Sequence, residues 1–501
     1  MNQDSPKATE LKEAAAHGVR WSAISRPTVE FLQLASMIVL ARLIVPAEFG
    51  RFAVASIALE IASLTVAGGL SSALVQRKVA DREHLQTGSA LALISGFGLT
   101  AATLLVAGLV VGPVFGDRTA QFMQLMAPLC LIAALSAVPM ALLRRRMAFR
   151  RLSEIEMLST FVRVGLSVGL ALAGMTGEAL VIGVLAGSAT ATGAAMLSAP
   201  APFPRFSPRA ARDLLGYALP MSLASITWVG FSNVDYAVIG ARLGVAQTGL
   251  YFRAYTLAVE YQSKIGMVMT QVGFPVLSRT ADAGEMARMH HQMVRLLTLV
   301  LFPLLVLLAI GAPVLVPFVF GSNWDAAIVP VQILALGGAS TVLIDAAGTV
   351  LMAAGRARAL LAFGAAHFIV YGVTVYLVSP LGISAIAIDA AIVHTAFLFV
   401  SYVLMQRESG QPALERLWND VAPAFVSCIG LAAVALPVSR ALSAANLPPA
   451  LWLLALAVVA AATYLLTLRT CFAGTWRAHR AILARLIPWR RFAVVVAPQG
   501  A

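Results

Sequence analysis

Apolar segments of roughly 20 residues recur along the whole chain and are separated by short polar connections. A helix needs about 20 mostly apolar residues to cross the hydrocarbon core of a bilayer, so each segment predicts a membrane-spanning helix. The sequence therefore predicts an all-α, polytopic membrane protein with about fourteen transmembrane helices. The expected spans are 21–45, 49–75, 87–112, 119–143, 154–174, 178–198, 214–241, 248–275, 295–320, 328–353, 359–378, 382–404, 418–439 and 450–471.

The composition supports a membrane protein. Hydrophobic residues make up 59% of the chain and charged residues only 12%, whereas soluble domains usually carry roughly 25% charged residues. The net charge of +13 would suggest a nucleic-acid partner in a soluble protein. In a membrane protein it indicates topology instead, because cytoplasmic loops collect Lys and Arg. We expect no nucleic-acid partner.

The distribution of basic residues predicts the orientation. With the N-terminus in the cytoplasm, 27 of the 36 basic residues fall on the inner side, and only Arg51, Arg118, Arg242 and Arg440 fall on the outer side. This bias predicts an even number of spans with both termini inside. The expected regions are a cytoplasmic N-terminus at 1–20, an N-lobe at 21–200, a C-lobe at 201–410, two further helices at 411–472 and a basic amphipathic cytoplasmic tail at 473–501.

A stretch near the start of the chain is repeated 200 residues later. Residues 41–60 read ARLIVPAEFGRFAVASIALE and residues 241–260 read ARLGVAQTGLYFRAYTLAVE, with identity at seven of the twenty positions. The offset maps the first two predicted helices onto the seventh and eighth. Because six crossings return the chain to the same side, this predicts two six-helix lobes of the same orientation, with a substrate site between them.

Ten ionisable residues fall within the predicted spans. A charged side chain facing lipid costs about 2.5–3.5 kcal/mol at the centre of the bilayer, so these groups must face one another or water. They could be structural ion pairs, since Arg26 and Glu30, and Glu260 and Lys264, have the i, i+4 spacing of one helix face. Their concentration in helices 1, 2, 7 and 8 favours a water-filled cavity.

Two roles are expected in such a cavity. Basic side chains suit phosphate, which guanidinium binds through two parallel hydrogen bonds. The basic candidates are Arg26, Arg163, Arg253 and Lys264. The candidates for ion coupling are Glu30, Glu60, Asp235, Glu260, Asp345 and Asp389. His367 and His394 could relay protons or could be hydrogen-bonded core residues.

Other chemistry is not indicated. The chain has three cysteines without metal-ligand spacing and no GxxxxGK[ST] phosphate-binding loop, so we expect no metal, no cofactor and no ATP hydrolysis by that route. The predicted outer loops are short and leave no room for a catalytic domain. We therefore expect a protein that is not an enzyme, against the alternatives of an oligosaccharide polymerase or a membrane glycosyltransferase.

Three stretches carry a resemblance to a known family. They are RWSAISRPTVEFLQLASMIVLARLIVPAEFGRFAV at 20–54, GLSSALVQRK at 69–78 and FGSNWDAAIVPVQILAL at 320–336. The chain resembles Wzx-type polysaccharide transporters of the multidrug/oligosaccharidyl-lipid/polysaccharide (MOP) flippase superfamily. The resemblance implies two lobes that work by alternating access in a bacterial inner membrane.

The resemblance also implies a substrate and roles for some residues. The expected substrate is a polyprenyl-pyrophosphate-linked oligosaccharide, moved from the inner to the outer leaflet for O-antigen, capsule or exopolysaccharide synthesis. Arg26 and Arg253 would meet the pyrophosphate, and Glu60 and Glu260 would titrate. Membrane lipids are expected partners, and a polysaccharide polymerase or export machinery is a candidate partner. The alternative is a proton- or sodium-coupled drug or cation antiporter of the same superfamily, although such antiporters usually have twelve helices.

Overall fold

The computed structural model describes residues 6–63, 69–77, 81–260, 262, 283–354, 356–409 and 413–477. Within these ranges the regular structure is helical and contains no strand, which confirms the all-α class. The predicted tail at 473–501 lies outside the described residues beyond residue 477, and so does Lys264.

The described helices up to residue 260 overlap the predicted spans, although the first begins at Pro6 and the spans 49–75 and 119–143 each contain two helices. They are α1 (Pro6–Leu43), α2 (Pro46–Ser63), α3 (Ser71–Gln76), α4 (Arg82–Val106), α5 (Gly112–Phe115), α6 (Asp117–Met126), α7 (Pro128–Arg145), α8 (Phe149–Leu172), α9 (Gly177–Ser198), α10 (Pro208–Arg242) and α11 (Val245–Tyr255). Two π-helical turns, Ala107–Val111 and Thr256–Glu260, continue α4 and α11.

The remaining helices also coincide with predicted spans. They are α12 (Ala283–Phe320), α13 (Ile328–Gly337), α14 (Ala339–Ala353), α15 (Ala357–Val378), α16 (Ile383–Ser409), α17 (Ala413–Ala444) and α18 (Pro449–Cys471). Short 3-10 turns at Ser322–Ala327 and Ser379–Leu381 precede α13 and α16. Gly321 enters the first of these turns with φ near 94°, a left-handed conformation that glycine adopts without steric cost.

Ten helical segments of the described chain are long and apolar enough to cross a membrane, which confirms a polytopic membrane protein. The helices at four predicted spans, α1, α2, α10 and α11, are not among these ten. These are the helices in which the sequence places most of the intramembrane charges. The count of fourteen spans and the orientation stay predictions.

The first compact unit covers residues 1–249. Among its described helices, α8 packs against α1 and α9, and α7 packs against α4 and α9. Phe122 and Met126 are almost completely buried in one apolar cluster of this unit. A second cluster joins α3, α4 and α7 to the first turns of α10 through Leu74, Ala141 and Leu214. Close packing of these apolar faces stabilises the unit.

The second compact unit covers residues 250–501. In it α12 packs against α13, α14, α17 and α18, and α17 packs against α18. Leu456 of α18 is fully buried in the cluster that joins the last two helices to α12. The two helices predicted at 411–472 are therefore integral to this unit. The boundary between the units falls within α11, and the lobe bounds 21–200 and 201–410 stay predictions.

Candidate functional site

The first group of predicted site residues lies on α1 and α8 of the first unit. These helices pack against each other, and Glu30 of α1 comes close enough for its charge to act on Arg163 of α8. Arg163 and Glu30 are half-buried, and Arg26 is exposed. The sequence put these residues in the same candidate cavity, but it did not indicate that Glu30 and Arg163 interact.

Glu60 contacts a residue that sequence reasoning missed. Its exposed carboxylate accepts a hydrogen bond from Asn233 of α10, with 3.2 Å between Asn233 Nδ2 and Glu60 Oε2. A neutral amide gives no charge signal in an apolar segment. Asp235, two residues farther on, is 2% exposed and accepts a hydrogen bond at 2.9 Å from the backbone N–H of Tyr236.

Two predicted site residues, Arg253 and Glu260, lie near the first residue of the second unit. Arg253 of α11 is 7% exposed, and its guanidinium lies 5.8 Å from the ring centroid of Phe252. Glu260 is exposed and ends the π-helical turn Thr256–Glu260. Single π-helical turns occur often at functional sites. The predicted spacing partner of Glu260, Lys264, lies outside the described residues.

The remaining acidic candidates are on α14 and α16. Asp345 is exposed, and Asp389 is half-buried and accepts a hydrogen bond from the Thr374 hydroxyl at 2.8 Å. His367 and His394 lie between α15 and α16 in direct contact, with 3.0 Å from Nε2 of His367 to Nδ1 of His394. Both rings are buried, and their mutual hydrogen bond fits the core interpretation of these histidines.

A charged cluster that the sequence did not predict connects α2, α6 and α9. Glu48 is buried, and its Oε1 lies 2.5 Å from Nη1 of Arg51 and 3.3 Å from Nε of Arg118. Arg118 also contacts Glu178 at 3.1 Å. All three helices begin beside this cluster, and carboxylates at helix N-termini are favoured by the helix dipole. The sequence signal is limited to acidic residues near three helix starts.

A second such cluster lies in the second unit. Asp420 of α17 is buried and binds both His291 and Arg295 of α12, the latter at 3.2 Å. The neighbouring His290 is buried and contacts the Tyr402 hydroxyl at 3.2 Å. The contacts of Asp420 connect α17 to α12. Among the described residues, no group of three or more His, Cys, Asp or Glu side chains is placed to hold a metal ion.

An apolar groove of about 1010 Å³ runs along α12 and α17 in the second unit. Its walls are mainly aliphatic and aromatic, and they include Phe302, Leu305, Trp418 and Phe425. The polar side chains among them are Gln332, Ser340 and Ser439. Surfaces of this composition suit a hydrocarbon chain.

The fold is that of a class of multi-helical membrane proteins with solved structures. A solved structure of the lipid II flippase MurJ, in an inward closed conformation, superposes with a TM-score of 0.75 over 93% of this chain and all of MurJ, at 12% identity. A multidrug resistance MATE family transporter of the MOP superfamily, inward-facing, gives 0.62 over 76% of this chain and 94% of its own, at 15% identity.

Sequence similarity narrows the class to a family. The lipopolysaccharide biosynthesis protein WzxC of Escherichia coli (strain K12) is 26% identical over 359 residues, which cover 69% of this chain and 71% of WzxC. Residues 39–329 match the family described as polysaccharide biosynthesis protein, and the chain belongs to that family. The resemblance to Wzx-type proteins is thereby confirmed, as is a multi-pass protein of the bacterial inner membrane.

Proposed function

We propose that this protein flips a polyprenyl-pyrophosphate-linked oligosaccharide from the inner to the outer leaflet during polysaccharide biosynthesis, by alternating access. The observation that carries the proposal is the family match over residues 39–329 in a chain built of membrane helices. Sugars and phosphates cannot cross hydrocarbon unaided, because burying charged and polar groups there is costly. MurJ, whose fold this chain shares, is a lipid II flippase.

Arginines within the membrane helices supply a means of holding the anionic head group. We assign Arg26, Arg163 and Arg253 to the pyrophosphate, because a guanidinium group stays charged and donates two parallel hydrogen bonds to phosphate oxygens. Lys264, which lies outside the described residues, is assigned to the pyrophosphate from the sequence alone. The charge of Glu30 acts on Arg163, so the pyrophosphate would replace a carboxylate that is already beside the guanidinium.

The acidic residues are assigned to ion coupling. Asp389 with Thr374, and Glu60 with Asn233, are carboxylates fixed by hydrogen bonds across two helices, while Glu30, Asp235, Glu260 and Asp345 complete the set. A carboxylate that gains a proton during transport accepts such a hydrogen bond less strongly, so protonation can weaken the contact between the two helices. The proposal assigns transport, and no catalytic reaction, to this chain, so a separate polymerase would use the flipped oligosaccharide.

The apolar groove of the second unit suits the prenyl chain of the substrate. Its volume of about 1010 Å³ and its aromatic and aliphatic lining would keep a hydrocarbon chain away from water while the head group passes. This assignment separates the two parts of the substrate, with the arginines for the pyrophosphate and the groove for the lipid.

The experiment that tests the proposal uses cells that lack this protein. We expect polyprenyl-linked oligosaccharide to accumulate on the cytoplasmic leaflet, the intact protein to clear it, and Arg26→Ala at equal membrane abundance to fail. Arg150→Ala is the matched control, because Arg150 is exposed and pairs with Glu154 at 2.8 Å. Unchanged lipid-linked pools together with altered resistance to cationic drugs would contradict the proposal and favour cation antiport.

A further inference from the structure

The side-chain amide of Asn233 is held in one orientation by two hydrogen bonds. Its Nδ2 donates to Glu60 Oε2 at 3.2 Å and to the backbone carbonyl of Val229 at 3.0 Å. An amide nitrogen carries two hydrogens, and both are used here. Because the Val229 carbonyl can only accept, the atom that contacts it must be the nitrogen and not the oxygen of the amide. The group that faces Glu60 is therefore a donor only.

This hydrogen bond joins two packed helices of the first unit. Asn233 lies on α10 and Glu60 on α2, and these helices contact each other. Asp235 is buried and is held by the N–H of Tyr236. Residues two apart on a helix do not share a face, so the neutral amide of α10, and not its carboxylate, is directed at Glu60.

The internal repeat carries an amide at the matching position. Glu60 is one of the identical positions of the repeat and corresponds to Glu260. The same offset of 200 residues places Gln33 at the position of Asn233. Each copy thus has an amide in its first helix and a carboxylate in its second. The sequence alone gave weight to the carboxylates and none to the amides.

We propose that Asn233 is a positioning residue that holds Glu60 in its ionised form and releases it on protonation, an inference that rests on the proposed flippase function. A donor-only amide favours the carboxylate, because an ionised oxygen is the stronger acceptor and Nδ2 cannot accept a proton. Protonation of Glu60 weakens the bond that ties α2 to α10. Proton binding is thereby linked to the separation of these two helices.

Other charges on the elements around α2 lie mostly at helix ends. The helices that pack against α2 are α4, α6, α7, α9 and α10, and α11 contacts α2 at Gly249. Their charged or titratable residues are Arg82, Glu83, His84, Asp117, Arg118, Arg144, Arg145, Glu178, Arg209, Arg212, Asp213, Asp235, Tyr217, Tyr236, Cys130, Arg242, Tyr251, Arg253 and Tyr255. Asp235 lies away from its helix ends and accepts a hydrogen bond from the N–H of Tyr236, and Arg253 is buried in the last turn of α11.

The pH dependence of flipping tests the proposal. In proteoliposomes that contain a fluorescent polyprenyl-pyrophosphate oligosaccharide, we expect Asn233→Ala to move the acid midpoint of the flipping rate upward by about 0.5–1 pH unit, with a smaller effect at alkaline pH. In the Glu60→Gln background, Asn233→Ala should cause no further shift. Thr192→Val, which loses an interhelical hydrogen bond to the Ile132 carbonyl, should leave the midpoint unchanged. A uniform loss of rate at every pH would overturn the proposal.

A second measurement separates this inference from the proposed function. Melting temperatures of Asn233→Ala, Glu60→Ala and the double variant give the coupling between the two residues without any substrate. We expect coupling at neutral pH that disappears in acid. If the intact protein does not flip the lipid but the coupling titrates, the flippase function fails and the positioning role stands. Coupling that is absent, or independent of pH, would overturn the positioning role whatever the flipping assay shows.

Discussion

Gly50 on α2 and Gly249 on α11 lie against each other, with the backbones of the two helices in direct contact. A β-carbon added to Gly50 would overlap the carbonyl group of Val245, and one added to Gly249 would overlap that of Pro46. Small residues let membrane helices approach this closely. The contact joins the two copies of the repeated stretch near the start of each helix.

Substitution of this glycine should destabilise the observed arrangement. In Gly50→Ala the new methyl group meets a backbone carbonyl, which no side-chain rotation can relieve, so α2 and α11 must move apart. Overpacking of this kind costs about 1–3 kcal/mol. We expect a lower melting temperature of the purified protein in detergent.

Gly98→Ala is the matched control for that measurement. Gly98 lies within α4, and a β-carbon there meets nothing within 4 Å. Alanine favours a helix over glycine by about 1 kcal/mol, so this variant should melt at the same or a higher temperature. Equal losses in Gly50→Ala and Gly98→Ala would show that the close contact is not the cause.

Loss of the Glu48 carboxylate should destabilise the first unit, although Glu48 is not among the predicted cavity residues. Glu48→Ala removes the carboxylate that pairs with Arg51 and, beside Glu178, with Arg118, and it removes an acidic group from the first turn of α2. We expect a loss of about 1–3 kcal/mol, between the values for exposed and for buried ion pairs. Thermal unfolding measures it. Glu154→Ala, which removes partners of the exposed Arg150 and Arg151, should cost less than about 1 kcal/mol, and a larger cost there would contradict this ranking.

The long apolar runs predicted the helices, but they did not predict where a helix is interrupted. The predicted span 450–471 matches α18 within a residue. In contrast, the predicted span 328–353 is divided between α13 and α14 at Gly338. A β-carbon at Gly338 would overlap the side chain of Gln262, so the close approach of another segment accompanies the division. Hydropathy along one segment contains no information about such a neighbour.

Charged residues within the membrane were visible in the sequence, but their partners were not. The i, i+4 spacing suggested Arg26 as the neighbour of Glu30, and the structure brings Arg163 from a distant helix within its electrostatic reach. Similarly, the neutral Asn233 donates a hydrogen bond to Glu60. Which helix packs against which decides these pairs, and a single sequence does not show that packing.

Acid should weaken the contacts at the start of α10. Asp213, which precedes the predicted span, accepts a hydrogen bond from Arg77 at 2.9 Å and lies 3.5 Å from His84. Arg77 first, and then His84, lower the pKa of Asp213 below its ordinary value of 3.8. A carboxyl with a lowered pKa contributes stability above about pH 4, and that stability is lost as the pH falls through the folded-state value.

The variant Asp213→Asn tests this sign. We expect it to melt below the wild-type protein at neutral pH, and the two melting temperatures to converge as the pH falls below about 4. Thermal unfolding from neutral to acidic pH measures the difference. A difference that grows in acid would mean that the contact does not depend on the ionised carboxylate.

Stability and transport can be separated at Arg163 and Glu30. Arg163→Met removes a cation that interacts with Glu30, and we expect a loss of about 1–3 kcal/mol in stability together with loss of flipping. Addition of Glu30→Gln removes the carboxylate charge and should recover the melting temperature, because the two effects are coupled. Flipping should not recover, because the guanidinium is assigned to the pyrophosphate and not only to Glu30. If the double variant flips lipid at the wild-type rate, Arg163 is a structural partner of Glu30, and the pyrophosphate must be held by the remaining basic residues.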